Sequence, residues 1–428
     1  MSMRLLVVLA IMPCTFCIFS SRVAEGDALQ STAQAIADQI SGEPGIQTSL
    51  YAPSFLQGVP VEKISDLYAS MRSQSGPVLH VIERSRDSTE QGRFEFDFKQ
   101  SAVPVSLTIE AAVTHRVIGL WFGPPVPRMR SLREVSAQLA ALPGQVSFEA
   151  LRLDDGALLA SLNPDRALAI GSTFKLYVLA ELAEEGIPWD KVTRLQERYK
   201  SLPSGDLQKW PDDSPLTVHT LAVQMISQSD NTAADHLLAL VGRENVEDLL
   251  PRVGMKDPSA DIPFLGTLEI FRLKADAALR HEYLAADVAG RRALLDKLSN
   301  QPKPTMEEFE SLNPVAIDQI EWFASAADLC RVMGCFDKRN DPIVQSILAV
   351  NPGLQISPDQ FSYIGYKGGS EPGVLNMTWL LRSRSGRHYA LSATWNDPAK
   401  DVDLQKFAGI MLAATDVLES VEKPATNP

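Results

Sequence analysis

Cysteine is scarce in this chain, four in 428 residues, and two of them, Cys14 and Cys17, fall inside an apolar N-terminal run. The other two, Cys330 and Cys335 in ADLCRVMGCFD, have no second cysteine or histidine at metal-ligand spacing. The six histidines are scattered, with no HxxxH or HxHxD pattern, so the sequence argues against a metal site. Excess positive charge is missing too. A formal net charge of −13 leaves no basic face for nucleic acid or an anionic membrane surface. Internal repeats are also lacking, which excludes solenoid and propeller architectures. Neither a metal nor an organic cofactor is expected.

Long apolar runs occur once, at the start. Met1–Arg4 carries one positive charge, Leu5–Phe19 is nearly all apolar, and Ala24-Glu25-Gly26 supplies small residues at the positions a signal peptidase reads. Residues 1–26 therefore read as an export signal, short for a membrane span, which places the mature chain in the periplasm or outside the cell. The alternative is an uncleaved anchor. Cys14 and Cys17 lack the small-residue run that precedes a lipidated cysteine. In an oxidising compartment Cys330 and Cys335 could pair, although five residues of spacing partly on a helix is an awkward geometry.

The remainder is long enough for two domains, and its composition, 45% hydrophobic and 22% charged, is that of a soluble globular chain. In residues 27–125, Leu29–Ile40 and Val61–Met71 are periodic at helical spacing. Strand patterns follow at Val78–Glu83, Arg93–Lys99, Val103–Ile109 and Val117–Phe122. GPPVPR, Gly123–Arg128, has three prolines in six residues, so residues 126–130 are expected as a stiff linker without helix or strand. Residues 131–428 form the second domain. Ser131–Leu142 predicts a helix, and Asp155-Gly156 a tight hairpin between Val146–Leu153 and Ala157–Leu162. A mostly helical stretch runs from Ser172 to about Leu348. Phe361–Tyr366, Leu375–Arg382 and His388–Trp395 then read as strands, and Asp403–Val421 as an amphipathic helix. Such an order can close one antiparallel sheet flanked by helices, its first and last segments meeting in it.

Three short motifs carry the candidate chemistry. In AIGSTFKLYVLAELAEEG, Ser172 and Lys175 are three apart at the head of an apolar helical run, so they share a face. A lysine half-enclosed by apolar residues loses its proton more readily, as a base for a serine nucleophile must. The helix N-terminus offers N–H groups to an oxyanion. A Ser-x-x-Lys match alone is weak: roughly one is expected by chance in a chain this long, and Ser420–Lys423 is a second copy at the end of the last helix. An N-cap serine with a solvated lysine is the bland alternative. Fifty-seven residues after Ser172 comes Ser229-Asp230-Asn231, a polar turn between two apolar helical runs. There Ser229 can relay a proton, and Asn231 can serve the substrate or Lys175. Lys367-Gly368-Gly369-Ser370 follows a strand. Its glycines leave room for a flat substrate, its lysine attracts an anion, and the N–H of Ser370 can join an oxyanion hole.

SxxK, then SDN, then KxG, in that order, resembles the penicillin-recognising serine hydrolases, most closely class A β-lactamases, over about Ser131–Leu418. The resemblance implies their fold, a five-stranded antiparallel sheet flanked by helices with an all-helical subdomain. It implies Ser172 as acylated nucleophile, Lys175 as base, Ser229 as relay, Asn231 as positioner and Lys367 as the group that binds a substrate carboxylate, with Gly369 and Ser370 beside it. The partner is then a small molecule: a β-lactam, an ester or a peptidoglycan-like amide. An esterase, a D,D-peptidase and a non-catalytic sensor are the alternatives. Two departures stand out. The E-x-x-L-N loop of class A enzymes aligns with EEFESLNP so that Phe309 takes the glutamate's place between Glu308 and Glu310, and Gly368 replaces the usual hydroxyl residue. A helical insertion, about Leu268–Lys297, lengthens the chain between the second and third motifs. The N-terminal domain resembles an NTF2-like α+β cone in pattern only, a structural or docking module.

Overall fold

The computed structural model describes residues 27–42, 45–298, 303–305, 313–356 and 359–420. Residues 1–26, residues 306–312 with Glu308, Phe309 and Glu310, and Lys423 lie outside them. Two compact units emerge: one runs to Lys99 and takes up Val103–Phe122, and the other comprises Gln100–Ala102 and the chain from Gly123 on.

The first unit is α+β. Asp27 caps α1 (Ala28–Ser41) by accepting from the backbone N–H groups of Leu29 and Gln30, and Gly42 ends it in a left-handed conformation. Helices α2 (Pro53–Gly58) and α3 (Val61–Ser75) precede the strands β1 (Val78–Arg86), β2 (Gln91–Phe98), β3 (Ser101–Ile109) and β4 (Val117–Phe122). The strands pair antiparallel in the order β1-β2-β3-β4. Alternation is clean, with Phe94, Phe96 and Phe98 of β2 and Val103, Val105, Leu107 and Ile109 of β3 buried against Leu29, Ile36 and Ile40 of α1. The tyrosine hydroxyls of Tyr51 and Tyr68 meet at 2.8 Å inside this core.

The stretch expected as a bare linker differs. Val126–Pro127 forms a short strand, β5, antiparallel to Ser101–Ala102 within the second unit. Proline lacks an N–H, but at a sheet edge the missing donor faces no partner.

In the second unit α4 (Leu132–Ala140) leads into β6 (Gln145–Arg152) and β7 (Leu158–Leu162), then the short β8 (Leu168–Ala169). A helical block follows: α5 (Lys175–Glu185), α6 (Val218–Ser227), α7 (Asn231–Val241), α8 (Arg243–Arg252), α9 (Thr267–Ala275), α10 (Ala277–Ala285) and α11 (Val288–Leu298). Two short strands, β9 (Val192–Arg194) and β10 (Pro215–Thr217), pair inside the block, and β11 (Phe323–Ala324) pairs back with β8. Then come α12 (Ala326–Arg339), α13 (Pro342–Ala349), β12 (Phe361–Glu371), β13 (Val374–Ser383), β14 (His388–Asn396) and α14 (Leu404–Ser420). The antiparallel sheet runs β12-β13-β14-β6-β7, so the early hairpin and the late strands do meet, in the register Tyr389↔Arg152 to Asn396↔Gln145.

Both faces of that sheet are covered. Val135, Leu139, Phe407 and Met411 of α4 and α14 pack on Phe148, Trp379, Leu391 and Trp395. Leu380 and Ala390 point the other way, into a larger core with α5, α6, α7 and α12. That is why β13 and β14 are buried along nearly their whole length rather than at alternate positions. Burying a side chain such as Leu380 is worth about 1.5–3 kcal/mol. Cys330 and Cys335 are both free, Cys330 fully buried and Cys335 partly so on the same helix.

Candidate active site

The chain enters the site through β8. Asn396 clamps it, donating to the Ala169 carbonyl (3.0 Å) and accepting from the Ala169 N–H (2.9 Å), and the Ile170 N–H reaches the Trp322 carbonyl at 3.0 Å. Gly171 then turns the backbone with φ +49°, a left-handed conformation that a Cβ disfavours. One 3₁₀ turn, Gly171–Phe174, carries Ser172, and α5 starts at Lys175. Phe174 stacks on Trp322 with ring centroids 3.7 Å apart, fixing the turn from below. Behind it Thr173 donates to Asn376 Oδ1 (2.8 Å), part of a buried network with Thr378, Ser392 and Thr394. Nothing in the sequence pattern points to Asn376; only the β13 register brings it under the turn.

Ser229 sits in the elbow between α6 and α7 at φ +54°. Asp230 holds that strained residue in place. One carboxylate oxygen caps α7 at the Ala233 N–H (2.8 Å), and the other takes the N–H groups of Asp206 (2.8 Å) and Leu207 (3.0 Å). The middle residue of the polar triplet is thus a brace, a role its position one residue before an apolar helix could have signalled.

The candidate residues converge on one nitrogen. Lys175 Nζ lies 2.7 Å from the Ser229 carbonyl, 2.7 Å from Asn231 Oδ1, 3.1 Å from Ser172 Oγ and 3.1 Å from Ser229 Oγ. Its two nearest neighbours can only accept hydrogen bonds. They take both N–H groups of a neutral amine and leave its lone pair to the hydroxyls. Lys175 has no exposed surface. Burial first, and the charge of Lys367 second, hold it well below the ordinary lysine range, against the opposing pull of Asp230 and Asp235. Lys367 reaches the same Ser229 Oγ at 3.0 Å, and burial alone brings it down to about 7.

Several expectations need refining. Asn231 donates its amide to the Leu202 carbonyl (2.9 Å) while accepting from Lys175, so its side chain is committed to the lysine rather than open to a ligand. Lys367 is 3% exposed and aimed at Ser229, not presented as an open cation. The glycines do not leave room for a flat substrate. A Cβ on Gly369 would stand 2.0 Å from the Ile170 carbonyl oxygen and 2.7 Å from the Ser172 nitrogen, so this glycine lets β12 touch the turn that carries Ser172. At Gly368 a Cβ would meet the Tyr366 hydroxyl at 2.0 Å. Tyr366 fills the space where a hydroxyl residue was expected. Ser370 is exposed, and its nitrogen lies 3.2 Å from where a Gly171 Cβ would be, which brings the Ser172 and Ser370 backbones together.

Among the described residues no carboxylate hydrogen-bonds Ser172, Lys175 or Ser229. Glu308 and Glu310 lie outside them. Behind Asn231 stands Thr267, whose hydroxyl donates to Ser201 Oγ (2.7 Å) and lies 3.4 Å from the Asn231 carbonyl. No cluster of three or more acidic, histidine or cysteine side chains fit for a metal occurs among the described residues.

Residues 128–299 match the β-lactamase enzyme family, in agreement with the resemblance the three motifs carry. No curated protein matches the chain. Similar solved structures include a PBP-A mutant held as an acyl-enzyme with penicillin G, 15% identical, covering 68% of this chain and 96% of its own, TM-score 0.48. A β-lactamase from Sphaerobacter thermophilus is 20% identical over 69% of this chain and 97% of its own, TM-score 0.47. One from Chitinophaga pinensis is 14% identical over 68% and 99%, TM-score 0.48.

Proposed function

We propose that this chain, β-lactamase-like over residues 128–299, is an exported serine hydrolase that forms an acyl-enzyme at Ser172 with a β-lactam or a related ester or amide. The observation that carries this reading is the Lys175 amine. Two acceptors lie 2.7 Å from its nitrogen, Ser172 Oγ lies 3.1 Å away, and burial holds it well below the ordinary lysine range, which favours the neutral amine a base needs. As Ser172 Oγ attacks the carbonyl carbon, its proton passes to Lys175 Nζ. The tetrahedral oxyanion draws on the N–H groups of Ser172 and Ser370. When the C–N bond breaks, Ser229 hands a proton to the departing nitrogen, resupplied from Lys175 or Lys367. An anionic group arriving at Ser229 meets Lys367.

Deacylation separates the two enzymatic readings. Phe309, standing in the sequence where class A enzymes carry the deacylating glutamate, favours a slow second half-reaction, as in a D,D-peptidase or esterase, over efficient β-lactam hydrolysis. The first 26 residues support export to the periplasm or beyond. For the first unit, three helices followed by a four-stranded antiparallel meander support an NTF2-like structural or docking module.

Intact-protein mass spectrometry after mixing with benzylpenicillin tests the proposal. The wild type gains the mass of the antibiotic and keeps it for hours, and Ser172→Ala and Lys175→Ala gain nothing. A gain lost within minutes would transfer the reading to a working β-lactamase. Persistent labelling of either variant would remove the role given to that residue.

A further inference from the structure

The helical insertion between the second and third motifs contributes one buried charge to the site's frame. Lys274, near the end of α9, donates from Nζ to Glu321 and to Glu371 at once. All three side chains are sequestered, with exposures of 8%, 1% and 16%. They belong to three distant pieces of chain: the insertion, the approach to β11, and the last residue of β12.

Each carboxylate leads to one of the two candidate oxyanion donors, Glu371 directly and Glu321 by way of Trp322. Glu371 directly follows Ser370. Glu321 directly precedes Trp322, accepts from its N–H at 3.3 Å, and Trp322 in turn takes the Ile170 N–H at 3.0 Å and stacks on Phe174. Ile170 and Phe174 bracket Ser172 at two residues on either side. The ammonium therefore ties the wall carrying Ser172 to the wall carrying Ser370, two backbones already in contact through Gly369. Nothing softer would hold them as well: a buried lysine with two carboxylates has a fixed geometry, and losing the cation strands two acidic groups away from water. Burial, reinforced by the neighbouring charge of Glu321, holds the Glu371 carboxyl well above its usual range.

We infer that Lys274, Glu321 and Glu371 are positioning residues that set the separation of the Ser172 and Ser370 N–H groups, and thereby the acylation rate. This inference rests on the acyl-enzyme reading of Ser172 for its kinetic arm alone. Two measurements on the full chain decide it: the concentration dependence of acylation by benzylpenicillin, and hydrogen exchange of peptides spanning residues 169–173 and 368–371. Lys274→Met alone leaves two buried acids unpaired and could unfold the unit. The informative variant is the neutral trio, Lys274→Met with Glu321→Gln and Glu371→Gln, alongside Lys274→Arg. The trio variant should melt as cooperatively as wild type yet lose at least tenfold in the limiting acylation rate, with its half-saturating concentration within twofold. Both peptides should exchange faster, and Lys274→Arg should recover most of the rate. A limiting rate within twofold of wild type, a loss confined to half-saturation, or unchanged exchange would each overturn the inference. If wild type is not acylated at all, the hydrolase reading fails, and exchange alone decides the positioning claim.

Discussion

Two lysines share one serine hydroxyl, and that arrangement is costly in stability. Lys367 is held at about 7 instead of its ordinary 10.5, because burial penalises the ammonium. That difference corresponds to on the order of 4–5 kcal/mol at about 1.4 kcal/mol per pKa unit. Its sign follows from linkage. The penalty is absent above the lysine pKa of the unfolded chain, where both states are neutral. It grows as pH falls and is complete below about 7, where both states are charged. Lys367→Met removes the penalty and also the hydrogen bond to Ser229, worth about 1.5–3 kcal/mol. The variant should therefore gain about 2 kcal/mol over wild type at pH 6.5 in urea titrations, with the gain shrinking toward pH 10, while acylation falls at least a hundredfold. A variant less stable than wild type at pH 6.5 would mean that the ammonium is better solvated than its burial implies. The same residue shows how far a pattern reads. The sequence marks Lys367 as cationic and near a strand, but whether it faces solvent or Ser229 depends on which side of β12 is covered, and that is a matter of tertiary packing.

Strand β12 meets the Ser172 turn where glycine is required for space, not for flexibility. In Gly369→Ala the new Cβ would sit 2.0 Å from the Ile170 carbonyl oxygen, a contact that only backbone movement can relieve. Overpacking of this kind costs about 1–3 kcal/mol, and here the displaced atoms include the Ser172 nitrogen, a proposed oxyanion donor. Gly156→Ala is the natural control: φ is +70° with nothing within 4 Å, so it should cost a similar 1–2 kcal/mol through backbone strain alone. Matched urea midpoints with acylation lost only in Gly369→Ala would place the defect at the site. Equal acylation in both would show that the turn adjusts freely. At this scale much was legible beforehand. The Asp155-Gly156 hairpin, the three late strands and the last helix follow from turn residues and periodicity, and so does the meeting of early and late segments in one sheet. What stayed hidden depends on register. Asn376 under Thr173 and Lys274 between two glutamates are set by pairings across 47 to 203 residues, whose partners a local pattern does not name. The strand inside the proline-rich stretch was missed for a related reason, since edge position, not composition, permits it.

Each unit buries its own core. In the first, residues such as Phe96, Leu107 and Ile36 form one cluster, and in the second the sheet is sealed on two faces by separate clusters. Cooperativity follows shared burial, so units with independent cores unfold as separate transitions. A ligand that binds or bonds to the native form of one of them stabilises that one. Ser172 and its partners all lie in the second unit. Scanning calorimetry of the mature chain should therefore resolve two transitions, and prior acylation by benzylpenicillin should raise only the one with the larger enthalpy, since enthalpy scales with residue number. The first should stay within a degree. A single transition that moves as a whole would mean that the units fold as one and that the first unit contributes directly to the stability of the site. Two transitions with only the larger one displaced would leave the first unit free to act as a separate module, and the search for what it binds could proceed without reference to Ser172.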